Sequence, residues 1–380
     1  MDRHLLTLDE ATCRRRMSIK WQHHEPDVLP LWVAEMDVMP APPVAEELLR
    51  VVRDGDLGYP VPRHYLEAVA RWYARLGASV DPGRMAIVAD AMSGVRGAVI
   101  ALTKPDDPVY ITVPVYPPFH SVAAAAGRRL VTVPLDEHGR YDTAALEEAF
   151  ASSPGRGVLL LSNPHNPTGA VPTPDELSAV GEVAARQGVA VISDEVHAPL
   201  VLPGAEFTSF LSVPEGAGAL GVISPAKGWN LAGLKAASVV GGPEAGPAVG
   251  RVPSELTHSS SHVGVRAHVA AMDHGQDWLA NLVEDLDANR ALLRQLLDEH
   301  LPTVRWGPHE ATYLAWLDCR DLGLGQDPAA HFLDEGRVGL NSGLPFGEGR
   351  GHVRLNFAAS PAVLTEAVTR MARSLDRAEG

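Results

Sequence analysis

Five short segments carry residues whose types could do chemistry, and each follows an apolar run. Asp90-Ala-Met-Ser93-Gly94-Val95-Arg96-Gly97 is a small-residue turn feeding the apolar stretch AVIAL. Free backbone N–H groups at such a helix start, here at Gly94 and Val95, make an anion site suited to a phosphate, although many Ser-Gly turns only cap helices. In VPVYPPF, prolines flank Tyr116 and fix its angle, which suits either a stacking face for a planar ring or a core aromatic. SNPHNPTG, from Ser162 to Gly169, holds two Asn-Pro steps. Proline forces Asn163 and Asn166 out of helical geometry, so their amides are presented to a partner. SDEVH ends a buried-strand pattern on Asp194 and leads to His197. A carboxylate there is costly unless a cation meets it or it caps the next turn. Opposite charges about 4 Å apart at an effective dielectric near 20 interact by about 4 kcal/mol, roughly three pKa units, enough to keep a pyridine nitrogen protonated.

The fifth segment runs from Ser224 through Lys227 to Lys235. Lysine is scarce: Lys20, Lys104, Lys227 and Lys235 stand against 28 arginines. A chain that otherwise uses arginine for charge but keeps lysine between two hydrophobic runs wants a primary amine, because an amine condenses with an aldehyde and a guanidinium does not. Anion cradle, stacking face, donor to a phenolic oxygen, counter-charge for a pyridinium and amine nucleophile thus occur in order at five strand ends. Pyridoxal 5'-phosphate (PLP) requires that set.

Between residues 85 and 242, seven runs must position these groups: MAIVAD, PVYITV, RLVTVP, GVLLLS, VAVISDE, ALGVISP and AASVVGG. Several are apolar throughout, the mark of strands covered by helices on both faces, and helix-patterned stretches alternate with them. The expected fold is α/β: a mostly parallel, seven-stranded sheet between helices, with a smaller α+β domain. Trp278, Leu282, Leu286, Asn289, Leu293 and Leu296 recur at steps of three or four, so 276–298 reads as one amphipathic helix. Strands TYLAWLDC and HVRLNFA, the helix PAAHFLDEG and a last helix from Pro361 follow. Five prolines in the first 45 residues predict an extended arm. The expected division is an arm with part of the small domain at 1–45, a large cofactor-binding domain at 46–270 and a small domain at 271–380.

A net charge of -15 opposes the counterion release that drives most nucleic-acid binding. No run approaches the roughly 18 apolar residues of a membrane span. Arg14, Arg15 and Arg16 precede a polar stretch, not the apolar segment of a leader. Cys13 and Cys319 form no CxxC, so neither a disulfide framework nor a thiolate metal site is expected, and a cytoplasmic protein is. Gly216, Gly218 and Gly221 spell GxGxxG but precede a strand, whereas a dinucleotide site follows one. Ser224 to Lys227 spells SxxK without the SDN or KTG of an acyl-serine enzyme. His258 and His262 lack a carboxylate partner for a metal.

At these segments the chain resembles the fold-type I PLP enzymes of the class I/II aminotransferase superfamily, with the aspartate aminotransferase-like fold. More narrowly it resembles the MalY/PatB branch of cysteine-S-conjugate β-lyases, the cystathionine β-lyases. SIKWQHHEPDVLPLWVAEMD, GYP, PVYPPF, SNPHNPTG, SDEVHAPL, SPAKGWNLAGLK, EATYLAWLD and HVRLNFA carry the resemblance over nearly the whole chain, and DEVH marks the branch. The resemblance implies that Lys227 forms the Schiff base, Asp194 pairs with the pyridine nitrogen, Asn166 bonds the ring hydroxyl with His197 beside it, and Tyr116 stacks on the ring. It implies that Ser224, Lys235 and the backbone of Gly94 and Val95 hold the phosphate, that Tyr59 reaches the phosphate of a neighbouring subunit in a homodimer, and that Arg354 clamps the substrate carboxylate beside Ala34. The reaction implied is α,β-elimination from cystathionine or a related cysteine S-conjugate. Transamination on the same scaffold is the alternative, followed by a regulatory partner-binding role. Glu35, Arg96, Gly228 and Trp229 depart from the branch pattern and bear on specificity.

Overall fold

The seven apolar runs become the seven strands of one sheet in the computed structural model, which describes residues 4–153 and 157–376. They are β1 Met85–Val88, β2 Pro108–Val113, β3 Arg129–Pro134, β4 Val158–Ser162, β5 Ala190–Asp194, β6 Leu220–Ile223 and β7 Ala237–Gly241. Their order across the sheet is β1-β7-β6-β5-β4-β2-β3. The five strands from β6 to β3 are parallel, while β7 runs antiparallel to both its neighbours. Every residue of β2 and β4 is buried, as the unbroken apolar runs require, whereas the edge strand β3 exposes Arg129, Thr132 and Pro134. Two separate apolar clusters, one on each face, bury the sheet under helices. Helix Ala91–Leu102 covers one face. Helix Pro174–Gln187 covers the other, started by a Thr173/Glu176 capping box and ended by left-handed Gly188.

A second sheet comprises β8 Leu314–Asp318, β9 Asn341–Ser342 and β10 His352–Asn356, antiparallel in the order β9-β10-β8. Helix Gln276–His300 carries the predicted stripe, with Trp278, Leu282, Leu286, Asn289, Leu293 and Leu296 all buried. Helices Pro328–Asp334 and Pro361–Asp376 complete this part of the chain.

The expected extended arm is corrected in two places. Glu10–Arg14 and Ile19–Gln22 are short helices, the first capped by the Asp9 side chain; both lie before the first proline. Pro42 opens helix Pro42–Asp54, since proline is tolerated in a first turn whose N–H has no helical acceptor. Between them Leu29–Pro30 pairs in parallel with Val338–Gly339 and ties the start of the chain to its end. The GxGxxG segment is a packing device: a Cβ on Gly216 would lie 1.9 Å from the Phe210 carbonyl oxygen. Among the described residues no helix is long and apolar enough to cross a membrane, and no cluster of three His, Cys, Asp or Glu could hold a metal ion.

Candidate active site

Parallel strands of an α/β sheet end on one side, and the chemistry-bearing segments collect there. A cavity of about 270 Å³ is lined by Asp194 and His197 after β5, Asn166 after β4, Tyr116 after β2, and Ser224, Lys227 and Lys235 after β6. Ala34, from the amino-terminal segment, closes it. Because β7 reverses direction, the loop from Ser224 to Ala236 crosses the mouth of the sheet and brings Lys227 and Lys235 to one cavity.

Lys227 Nζ donates to the Ala34 carbonyl oxygen at 3.1 Å. Burial, with Arg354 nearby, brings its pKa down to about 8, against the pull of Asp194. Asp194 accepts one backbone bond, from Val196 N at 3.2 Å. Burial lifts its carboxyl to about 7, and neighbouring Glu195 adds to the rise. The buried His197 ring is pushed down to about 3 by burial and by Lys227 and Arg354, so it is neutral near pH 7, and its Nδ1 has no partner. A buried carboxylate short of cationic charge, a depressed amine and an unpartnered imidazole nitrogen facing one cavity are what a pyridinium aldehyde with a phenolic oxygen would satisfy.

Arg354, on β10, is 4% exposed. Its Nη1 donates to Asn166 Oδ1 at 3.1 Å and its Nη2 to the Trp32 carbonyl oxygen at 3.3 Å, while Nε is buried without a partner. With Oδ1 so engaged, the Asn166 amide has its N–H₂ for a ring oxygen. The Asn166 carbonyl in turn accepts from Tyr116 N at 3.0 Å, which couples the SNPHNPTG loop to VPVYPPF.

Residues 32–36 form a strap with a hydrogen-bonding pattern that sequence reasoning missed. Asn341 and Arg354 donate to the Trp32 carbonyl, Asn356 to Val33, Lys227 to Ala34, Lys20 and Asn356 to Glu35, and Asn230 and Arg16 to Met36. Asn230 adopts a left-handed φ of 57° and brackets Met36 through both N and O at 2.9 Å. Lys20 is fully buried and paired with Asp37 at 2.8 Å beneath the strap.

At the other end of the cavity the helix start lies N-terminal to the expected Gly94 and Val95. Asp90, Ala91 and Met92 line the cavity, whereas Gly94 and Val95 lie inside the helix. Gly94 N is taken by the Asp90 carbonyl, and its Cα face packs so tightly that a Cβ would meet Val222 at 3.0 Å. Ser93 N donates to the capping Asp90 Oδ1 at 2.8 Å, so the amides left to an anion at this helix start are those of Ala91 and Met92. Lys235 Nζ sits 3.1 Å from Asp90 Oδ2, and Ser224 Oγ donates to the Ala236 carbonyl at 2.9 Å. Tyr59 is 95% exposed and outside the cavity of its own chain. Two departures from the branch pattern are packing adjustments: a Cβ on Gly228 would lie 2.7 Å from Pro199, and the Trp229 indole donates to the Gly275 carbonyl at 2.9 Å. Arg96 is exposed, and Glu35 accepts from Ser18 Oγ at 2.5 Å.

Residues 26–371 match the family of class I and II aminotransferases. The chain belongs to that family. A Mycobacterium leprae protein provisionally named cystathionine β-lyase is 48% identical over 97% of each chain. The cystathionine β-lyase of Corynebacterium glutamicum is 33% identical, matched over 95% of this chain and 98% of its own. A solved structure from Corynebacterium diphtheriae, provisionally named a PLP-dependent β-cystathionase, superposes with a TM-score of 0.92 at 32% identity, covering 98% of this chain and 99% of that one. The aminotransferase-like fold and the cystathionine β-lyase branch marked by DEVH are therefore those of this chain's relatives.

Proposed function

We propose that the chain is a PLP-dependent carbon–sulfur β-lyase that converts cystathionine or a related cysteine S-conjugate, with water, into a thiol, pyruvate and ammonia. One observation carries the reading: a depressed amine, Lys227, and a buried carboxylate, Asp194, line a single cavity at the carboxyl ends of parallel strands. The relatives named as cystathionine β-lyases favour elimination over transamination.

In this reading Lys227 holds the cofactor aldehyde, Asp194 faces the ring nitrogen, Asn166 and His197 face the ring hydroxyl, and Tyr116 covers the ring. Lys235, Ser224 and the first-turn amides of helix Ala91–Leu102 hold the phosphate. When bound, PLP supplies an electron sink for the pair left at Cα once a proton is removed. The protein's residues do the rest. Arg354 presents its planar fork to the substrate carboxylate, held in place by Asn166 and the strap. Lys227 would be the base at Cα; at a pKa of about 8 roughly one amine in ten is neutral at pH 7, against fewer than one in a thousand for a free lysine. The Ala34 carbonyl aims that amine. His197, neutral, can donate a hydrogen bond without adding a second cation beside Lys227.

A homodimer and a cytoplasmic setting belong to the same proposal. Eight of the nine exposed large apolar side chains among the described residues fall between Met17 and Val61, Tyr59 among them, which is a surface suited to a second copy. Both cysteines are buried and unpaired, as a reducing compartment would leave them. The division near residue 270 is supported by the separation of the seven-stranded sheet, within 85–241, from the three-stranded sheet, within 314–356, and the pairing of Leu29–Pro30 with Val338–Gly339 supports grouping the first residues with the small domain.

The test is a visible spectrum of the protein with PLP, then L-cystathionine with a pyruvate assay. Colour and pyruvate without any added keto acid are expected, and Lys227→Ala should lose both. A coloured protein that only exchanges amino groups with a keto acid would overturn the lyase reading.

A further inference from the structure

Glu195 follows Asp194 in the chain, is fully buried, and meets no cation. Its carboxylate instead accepts four neutral donors from three elements. Tyr73 Oη, on helix Pro62–Arg75, donates to Oε2 at 2.5 Å; Ser193 Oγ donates to Oε1 at 2.9 Å; Ser209 Oγ donates to both oxygens at 3.1 and 2.8 Å; and Phe210 N donates to Oε1 at 2.9 Å. An ionised carboxylate offers about four lone-pair sites and no donor, so four donors suit the charged form. The Phe210 amide can only donate and would find one acceptor fewer on the protonated acid.

We propose that Glu195 is a positioning residue behind the cofactor, held in its charged form by these four donors, whose negative charge holds the proton on the Asp194–pyridine pair and on the lysine-bound imine. The inference rests on the PLP reading above. Two carboxylates at consecutive positions in a buried site raise each other's proton affinity, and burial leaves little solvent to screen that field. Asp194 feels it: Glu195 adds to the rise in its pKa. The other titratable groups facing the pair are Lys227, whose charge acts in the opposite direction, and Tyr73, Tyr116 and Tyr141, each kept neutral by burial, which raises its pKa. Burial raises the Glu195 pKa, and the hydrogen bonds from Tyr73, Ser209, Phe210 and Ser193 act in the opposite direction, toward the charged form. The same donors tie the end of β5 to helix Pro62–Arg75 and to the turn at Phe210–Ser212, which fixes the backbone from which Asp194 projects.

The experiment is a pH titration of the visible band of the PLP-loaded enzyme for wild type, Glu195→Gln and Glu195→Asp. The charge-neutral variant should lower the midpoint by at least about half a pH unit, because removing a nearby negative charge disfavours the protonated ring and imine. The charge-keeping variant should stay near the wild-type midpoint even if it is less stable. If Glu195→Gln gives no folded protein, Ser209→Ala, which strips the hydroxyl bonded to both oxygens, should move the midpoint in the same direction by less. Equal midpoints in all folded variants would overturn the inference and leave Glu195 a structural tie. A wild-type protein that takes up no colour with PLP would instead sink the cofactor reading, and is distinguishable from that result.

Discussion

The guanidinium of Arg354 and the side-chain oxygen of Asn166, 188 positions apart in the chain, are joined by a 3.1 Å hydrogen bond. One contact thus orients two groups, one proposed for the substrate carboxylate and the other for the cofactor ring.

Arg354→Lys should therefore damage more than substrate binding. Lysine keeps the charge but cannot span Asn166, the Trp32 carbonyl and a carboxylate as a planar fork. KM for L-cystathionine should rise by about tenfold or more, a loss of at least about 1.4 kcal/mol, and the visible band should shift because the Asn166 amide is freed to rotate. Unchanged KM would place the carboxylate elsewhere.

Without PLP, the stability of the protein should depend on pH through Asp194. Its folded pKa, about 7, lies above the ordinary 3.8, so folding takes up a proton between those values. The resulting stabilisation is present below pH 4 and is lost as pH rises toward 7, with an upper bound on the order of 4 kcal/mol. Lys227 acts in a higher window: with its pKa lowered to about 8 from 10.5, its burial is tolerated best above pH 10.5 and worst below 8. Thermal melts of the cofactor-free protein from pH 4.5 to 7.5 should show wild type losing ground to Asp194→Asn. Parallel curves would refute the buried-carboxylate account.

Lys20→Met should destabilise the protein by about 3–5 kcal/mol, since it strands the Asp37 carboxylate beside only Trp21 Nε1 and a distant Arg16. The double variant Lys20→Met/Asp37→Asn, which keeps an acceptor for Trp21, should recover part of that loss in urea melts. Because Lys20 also holds the Glu35 carbonyl of the strap, kcat should fall in the single variant even where the protein is folded.

Gly228→Thr should cost about 1–3 kcal/mol through overlap with Pro199 and leave the relative rates on different S-conjugates unchanged. Altered substrate preference would show that position 228 shapes the pocket.

Much of this architecture was legible because its signals are local. Strands β2 and β4 announce themselves as unbroken apolar runs since helices cover both their faces, and the site residues follow those runs directly. Tyr116, Asn166, Asp194, His197, Ser224, Lys227 and Lys235 share one cavity as a consequence. What escaped depends on distant partners. The strap looks like a proline-flanked coil, and the donors that hold Trp32, Val33 and Ala34 lie about 190 to 325 residues downstream. SerGly marks the helix by composition, while which amides remain free at its start depends on where Asp90 caps it. Glu195 gave no signal beyond its place beside Asp194, since its donors come from segments far from each other.

At Val33 and Ala34 the strap is hydrogen-bonded through its main-chain carbonyls, so those bonds do not depend on which side chains stand there. A wall fastened in this way can be refaced: larger, smaller or charged groups could be installed opposite Lys227 without loosening the mount, which makes this short stretch the natural place to redirect the enzyme toward other sulfur-bearing amino acids.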